Sequence, residues 1–476
     1  MSAPLWTPDE LLTATEARPL GTMPAVTGVS IDTRTLEPGE LFFAIKGDVH
    51  DGHGFVRGAL AKGAAAAVIS EERAAEFGGA GPLLVVPDVL DAMRRLGAAA
   101  RRRSAAKIVA VTGSVGKTGT KEAMRLAFER LGRTHAAVAS YNNHWGVPLT
   151  LARMPRDAAY GVFEIGMNHA GEIEPLTRMV RPHVAVITTV EPVHIEFFRS
   201  ISAIADAKGE IFLGLEPGGI AVLNRDNVQF ERVKAHALAS AAGRILSFGE
   251  HESADVRAER IILKPDQSIV ETRILGTPLV YRVGAPGKHV AMNSLAVLAA
   301  VKALGGDFAL AAQALAELRP PEGRGERTVL RARDGEFLLI DEAFNANPAS
   351  MRAALANLGA TEPALGGRRV AVLGDMLELG PEGPAHHREL AATVEATSDI
   401  VFAAGPLMDN LVRALPSERR GGYAASAAEI EAVVLANVRA GDVIMVKGSK
   451  GILVSRIVKA LKEHYGEAAG RAAAKG

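Results

Sequence analysis

Two rhythms of apolar and polar positions run along this chain: short continuous apolar runs, and longer stretches whose apolar residues return every three or four places. Runs at 108–112, 161–165, 184–189 and 220–223 read as strands buried on both faces, with helix-patterned segments between them. That alternation predicts an α/β fold built on a mostly parallel, doubly wound sheet. Ahead of it, apolar runs at 41–45, 65–69 and 83–86 predict a small α/β unit ending in a helix over 89–104. Behind it, RPPEGRGER at 319–327 places two prolines and two glycines within nine residues and reads as a linker. Alternation then resumes, with strands at 337–341, 370–373, 400–404 and 443–446 and a helix at 385–396. This last unit is Rossmann-like but lacks G-x-G-x-x-G after its strands, so no dinucleotide is expected there. The pattern divides the chain into domains at 1–104, 105–319 and 320–476, with hinges expected at the two junctions. A tail at 467–476, rich in Ala, Gly and Lys, is expected to fray.

Composition narrows the class without choosing a reaction. Lys plus Arg and Asp plus Glu balance at 54 each, so no global field favours nucleic acid or an anionic membrane. The absence of cysteine excludes disulfides, thiolate metal sites and cysteine nucleophiles, and fits a reducing compartment. Neither a signal peptide nor a membrane-length apolar run is visible, which predicts a soluble, cytoplasmic protein. The run Arg101-Arg102-Arg103 is expected to be the solvated end of a helix.

Chemistry concentrates first in VAVTGSVGKTGTKE at 109–122, an apolar strand that enters a glycine loop and opens a helix. Backbone N–H groups around Gly113, Ser114, Val115 and Gly116 are placed to cradle phosphate oxygens at a helix N-terminus. Lys117 would reach the terminal phosphates and the Thr118 hydroxyl would hold Mg²⁺, making ATP or GTP the expected ligand. The usual P-loop spacing wants glycine at position 111, where this chain has Val111.

Other chemistry-bearing residues fall where strands end. Glu164 closes one apolar run and would be a Mg²⁺ ligand beside the phosphates, or an ordinary edge carboxylate. His194 follows the next strand and faces the same crevice. Lys208 lies four residues beyond Ile204, near the apolar face of a helix over 201–215. It is either a snorkelling lysine or a partly buried one whose depressed pKa lets it react with CO₂. Asp341, Asn345 and Asn347 follow the strand at 337–341 and are either turn and N-cap residues or contacts to a ribose and phosphates. Arg324, in the linker, has a guanidinium suited to clamping a phosphate when domains close.

Taken together, TGSVGKT (112–118), YNNHWGVPLTL (141–151), FEIGMNHAGEI (163–173), VHIEFF (193–198), ADAKGEIF (205–212), GKHVAMN (287–293), GRGER (323–327) and DEAFNANPASM (341–351) resemble the Mur ligase family. These are ATP-dependent amide-forming enzymes of peptidoglycan synthesis, and the resemblance covers nearly the whole chain. Their P-loop is similarly short of its first glycine. The resemblance implies a UDP-substrate domain, a central ATP domain and a C-terminal Rossmann-like domain, with an acyl-phosphate mechanism. It implies ATP contacts from Gly113, Ser114, Val115, Gly116, Lys117, Thr118, Asn293, Arg324, Asp341 and Asn345. Two Mg²⁺ ions are implied, held through Thr118, Glu164 and His194, with Lys208 at the position that can be carbamylated. Lys117, Lys208, Glu164, His194 and Arg324 are the implied catalytic set. The segment at 30–55 resembles the UDP-substrate region, which makes Ser30, Asp32, Thr33, Arg34 and Lys46 candidates there, with Asn143.

FNANPASM, VLGDMLELG (372–380) followed by His386-His387, and VKGSKG (446–451) resemble the family member whose substrates are a UDP-N-acetylmuramoyl-tripeptide and D-alanyl-D-alanine. The dipeptide carboxylate is then expected on donors in the loop 447–450. The sister ligase that adds a diamino acid, and folylpolyglutamate synthase, are the alternatives. The first typically carries Asp-Asn-Pro-Arg, which is absent here. Glu342, Phe344, Val290 and Gly119 depart from the family pattern. A monomer is the default expectation.

Overall fold

The fold was analysed in a computed structural model that describes residues 4–47, 49–193 and 195–467. Three sheets follow one another along the chain, as the alternation predicts. The first has five strands in the order Arg18–Leu20, Leu83–Val86, Ala66–Ser70, Glu40–Phe43, Gly28–Ser30, parallel except for its first edge. The second has nine, with Lys107–Thr112 paired between Tyr160–Glu164 and Val184–Ile187 and all three parallel. Alternate residues of that strand serve opposite cores: Val109 and Val111 face one, Ile108 and Ala110 the other. A strand covered on both sides can be apolar at every position, which is why its sequence shows no alternation. Val111 is fully buried against that core, so the strand simply continues where a longer P-loop would place its first glycine.

Three differences from the sequence reading have physical causes. The central sheet extends through an antiparallel meander, Val256–Leu263, Ser268–Ile274 and Thr277–Val283, which the search for parallel units passes over. Its last turn is a two-residue hairpin with Leu275 and Gly276 both at positive φ. The C-terminal sheet gains an antiparallel edge strand, Glu326–Ala332, so the linker gives way to sheet by Glu326 and Arg327 is a strand residue. The helix expected at 385–396 is two short ones, Gly383–Glu389 and Ala391–Thr397.

The arginine run is not a solvated helix end, and the junction at Ser104 is not a free hinge. Only Arg102 of the three is exposed. Arg101 is buried, donating to the carbonyls of Val180 (2.7 Å) and Arg181 (2.8 Å) in the central domain. The Arg103 guanidinium lies 3.4 Å from the ring centroid of Trp6, whose indole N–H donates to Ala152 O at 2.9 Å. Trp6 shares one hydrophobic cluster with Leu149 and Ala152 of the central domain, and Arg153 Nε donates to Val29 O at 2.6 Å. A shared core and buried hydrogen bonds fix the first two domains as one body.

Candidate active site

The P-loop geometry follows from two glycines. Gly113 has φ +152°, and a Cβ there would collide with the Thr188 hydroxyl, which donates to Val115 O at 2.6 Å. Gly116 has φ +84°, and a Cβ there would collide with the Asn293 side-chain amide. Side chains at either place would be both strained and blocked. Ser114 is committed to holding the loop: its N–H donates to Thr189 O and its hydroxyl to Glu191 O. The helix Lys117–Glu129 starts immediately after Gly116, so the N–H groups of its first turn have no acceptor within the helix. Those N–H groups point to an anion. Lys117 Nζ donates to Gly113 O at 2.7 Å, folding the lysine over the loop.

Ser114, Val115, Gly116, Lys117 and Thr118 line a cleft of 960 Å³ between the central and C-terminal domains, which also takes in Glu164, Asn293, Arg324 and Asn345. Glu164 ends the strand Tyr160–Glu164 and is buried. Its Oε1 accepts from Asn142 Nδ2 at 2.6 Å, while its buried Oε2 has no hydrogen-bond partner. An unpartnered buried carboxylate oxygen is costly unless a cation belongs there. Asn142 was missed by sequence reasoning, although it adjoins Asn143 in a segment already singled out. Asn143 itself lines the cleft, and its Oδ1 accepts from Gly146 N at 2.9 Å. Thr118 Oγ1 is 3.1 Å from Ser140 Oγ. His194 lies outside the described residues.

Lys208 is among the largest fully buried side chains, which removes the snorkelling reading. Burial holds its amine well below the ordinary lysine range, and the nearby Lys117 charge adds to that. Burial lowers Lys117 too, opposed by the Glu164 carboxylate and assisted by Arg324. Arg324 has thus been brought from the third domain into the field of Glu164 and the P-loop. Its guanidinium stacks 3.9 Å from the Phe344 ring centroid, a contact the ring makes without needing a tyrosine hydroxyl.

The loops of the third domain are more occupied with one another than their sequence implied. Asp341 does not line the cleft; it is buried and accepts from Ala343 N at 3.0 Å, and burial raises its pKa. Its neighbour Glu342 lines the cleft instead. Lys447, expected among donors for the dipeptide carboxylate, is buried, donating to Asn345 O at 3.0 Å and pairing with Glu342 at 3.4 Å. Lys450 remains exposed on the cleft, with its N–H on Asn345 Oδ1. Asn347 is the N-cap of the helix Pro348–Gly359, in a capping box with Ser350. Of the expected trio, Asn345 and Asn347 line the cleft and Asp341 does not.

A second cavity of 460 Å³ opens off the first past His289 and Met292, lined by Asn224, Asp226, Asn357 and Arg327. His289 stands exposed at its mouth. Ser30, Asp32, Thr33, Arg34 and Lys46 line neither cavity. They form a separate cluster: Ser30 Oγ donates to Asp32 O at 3.2 Å, Arg34 pairs with Asp32 at 2.6 Å, and Lys62 Nζ donates to Thr33 O at 2.8 Å. Lys46 is bridged through its backbone to Asp51. Tyr141 lines the cleft wall and lies within electrostatic reach of Arg34.

Comparison with known proteins agrees with this geometry. The Mur ligase family catalytic-domain model matches residues 25–122, the Mur ligase middle-domain model 111–301, and the Mur ligase glutamate-ligase-domain model 323–450. The UDP-N-acetylmuramoyl-tripeptide–D-alanyl-D-alanine ligase of Bacillus subtilis is 32% identical over 461 residues, 95% of this chain and 97% of that one. Its counterpart from Rickettsia prowazekii is 30% identical over 431 residues, 90% of this chain and 94% of that one. Among solved structures, MurF from Acinetobacter baumannii superposes with a TM-score of 0.82 at 28% identity, covering 96% of this chain and 99% of that one. With its cleft built from a P-loop, a buried strand-end carboxylate and an arginine delivered by the next domain, this chain belongs to the Mur ligase family.

Proposed function

We propose that the chain joins D-alanyl-D-alanine to UDP-N-acetylmuramoyl-tripeptide at the expense of ATP, giving UDP-N-acetylmuramoyl-pentapeptide for peptidoglycan synthesis. The observation that carries this reading is the single cleft that brings Lys117 and Glu164 of one domain together with Arg324 of another. ATP is proposed to lay its phosphates on Gly113–Thr118 and its nucleoside in the adjoining cavity. The UDP end of the other substrate is proposed to sit on the Ser30–Arg34 cluster, across Tyr141 and Asn143.

In the first step an oxygen of the tripeptide's terminal carboxylate attacks the γ-phosphorus, and the bond to the bridging oxygen breaks. ADP leaves, and an acyl phosphate forms. The dipeptide amine then attacks the acyl carbon, phosphate departs with the C–O bond electrons, and the amine proton passes to solvent. Both reactants of the first step are anions, so charge neutralisation dominates catalysis. Lys117 and Arg324 supply positive charge from opposite walls.

The residues also fit Mg²⁺: Glu164 offers a buried oxygen without a protein partner, and the Thr118 hydroxyl lines the same cleft. Mg²⁺ held by these residues would neutralise phosphate charge. The family resemblance assigns a second ion to Glu164 and His194. Lys208, whose amine burial holds well below the ordinary lysine range, is proposed to add CO₂ as a carbamate, the neutral amine attacking carbon with release of one proton, which turns it into an anion beside Lys117. Domains are proposed at 1–104, 105–319 and 320–476. A cytoplasmic monomer is proposed; no helix among the described residues is long and apolar enough to cross a membrane.

The amine substrate is tested by competition among D-Ala-D-Ala, its C-terminal amide, L-Ala-L-Ala, L-glutamate and free meso-diaminopimelate. D-Ala-D-Ala is expected to prevail, with the amide losing about tenfold or more because charged donors are left unpaired. Preference for free diaminopimelate would make this the ligase of the preceding step, and preference for glutamate a folylpolyglutamate-type enzyme.

A further inference from the structure

Loop 375–380 of the third domain both lines the cleft and touches the second domain. Leu377, Glu378 and Leu379 face the cleft. The backbone N–H of Glu196 donates to Glu378 O at 3.3 Å, and Ile195 packs against the C-terminal core. Glu378 has φ +62°, a conformation that costs a non-glycine residue energy and needs support from outside the loop. That support is a row of backbone anchors. The Asp375 carboxylate accepts from Leu407 N (3.1 Å) and Met408 N (2.7 Å). Leu377 N–H donates to Ser449 Oγ at 2.9 Å, and that hydroxyl donates to Ala346 O at 3.2 Å.

Between those two anchors stands His387, fully buried and lining neither cavity. Its Nε2 accepts from Met376 N–H at 2.9 Å, and its Nδ1 lies 2.6 Å from Gly383 O. A carbonyl can only accept and a backbone N–H can only donate. Both bonds therefore exist together in one form alone, the neutral ring with its proton on Nδ1.

We propose that His387 is a positioning residue for the amine substrate: in its Nδ1–H form it sets the backbone of loop 375–380, so that the loop presents its cleft face to the dipeptide while docked on the segment Ile195–Phe197. Protonation of the ring turns Nε2 into a donor, opposes Met376 N–H and releases the loop. This rests on the reaction proposed above. Asp375 and His386 are the titratable groups that act on the ring; Glu382 and Glu389 flank it along its own segment, and Asp409 and Arg413 lie on the helix packed across it. Burial outweighs the Asp375 carboxylate and holds the imidazole below its ordinary range, so the loop is intact at neutral pH.

Two substitutions separate the two bonds. In His387→Gln the side-chain oxygen reaches the Nε2 position and still accepts from Met376 N–H. In His387→Asn the amide nitrogen reaches only Gly383 O, leaving Met376 N–H buried and unpaired. The KM for D-Ala-D-Ala is expected to rise about tenfold or more in the Asn variant, the scale of one unsatisfied buried N–H, and less than about threefold in the Gln variant. KM for ATP and for the UDP-tripeptide should change less than about twofold in both. The ratio of Gln variant to wild type in kcat/KM for the dipeptide should climb at pH values below the ordinary imidazole range, because only the wild type carries the titrating ring, whose pKa is lowered. Titration of the dipeptide's own amine cancels in that ratio. Equal rises in all three KM values, an unchanged dipeptide KM in the Asn variant, or a pH-independent ratio would each overturn the proposal. Should the Asn variant fail to fold, the ratio decides alone. A wild-type enzyme that does not use the dipeptide would instead refute the reaction, before any variant is made.

Discussion

Replacing Lys117 by alanine is expected to cut turnover by about 1,000-fold or more while leaving the fold intact. One preorganised donor aimed at charge that develops in a transition state is worth ~3–4 kcal/mol in a water-poor site, and each ~1.4 kcal/mol is tenfold in rate. Lys117 stands between the P-loop carbonyl of Gly113 and the field of Glu164, and it has no ion-pair partner among the described residues. Its loss removes one local hydrogen bond, worth about 1 kcal/mol, so the melting curve should barely move. ADP formation and thermal unfolding, measured on the same preparation, check both halves. An alanine variant with near wild-type activity would remove the phosphate-loop assignment.

Lys208→Ala should be inactive as well, and at least as stable as the wild type. The amine is fully buried, and its pKa is held well below the model-compound value by burial first and Lys117 second. Between that lowered pKa and the unfolded value near 10.4 the unfolded chain binds a proton that the native state does not. Stability from this group is complete only above the unfolded pKa and falls as pH drops toward the folded one, so at neutral pH Lys208 destabilises the native state. Alanine removes the cost and the carbamate together, and added acetate should restore part of the activity by supplying carboxylate oxygens. Raising bicarbonate should stimulate the wild type and leave the variant unmoved. An active, bicarbonate-indifferent alanine variant would show that the amine has no role in catalysis.

Local patterns made much of this molecule legible. The P-loop is a strand, a loop and a helix start that are contiguous in sequence, so glycine chemistry and apolar runs suffice to place it. Glu164 was readable because it terminates an uninterrupted apolar run, and the open end of a parallel sheet is where ligands bind. The helical register of Lys208 against Ile204 left its burial open, and the packed core closed the question. What stayed hidden depends on distant partners. Arg101 looks like a solvated charge until the carbonyls of Val180 and Arg181 are placed beside it. Asp341 looks like a ligand contact, yet it is taken up by the backbone of its own domain, and Lys447 lines the cleft while bonding to Asn345 and Glu342. The antiparallel meander at 256–283 carries an alternating pattern that was available to read, but a parallel template does not look for it.

The central claim is that ATP activates the tripeptide carboxylate by phosphorylating it, and that D-alanyl-D-alanine then captures the acyl group. Both parts are recorded when UDP-tripeptide carrying ¹⁸O in its terminal carboxylate is incubated with ATP, Mg²⁺ and the dipeptide, and the products are weighed by mass spectrometry. The account predicts ADP, UDP-N-acetylmuramoyl-pentapeptide, and inorganic phosphate that has gained one ¹⁸O from the carboxylate. Appearance of ¹⁸O in AMP, or ATP consumption without a condensed product, would contradict it.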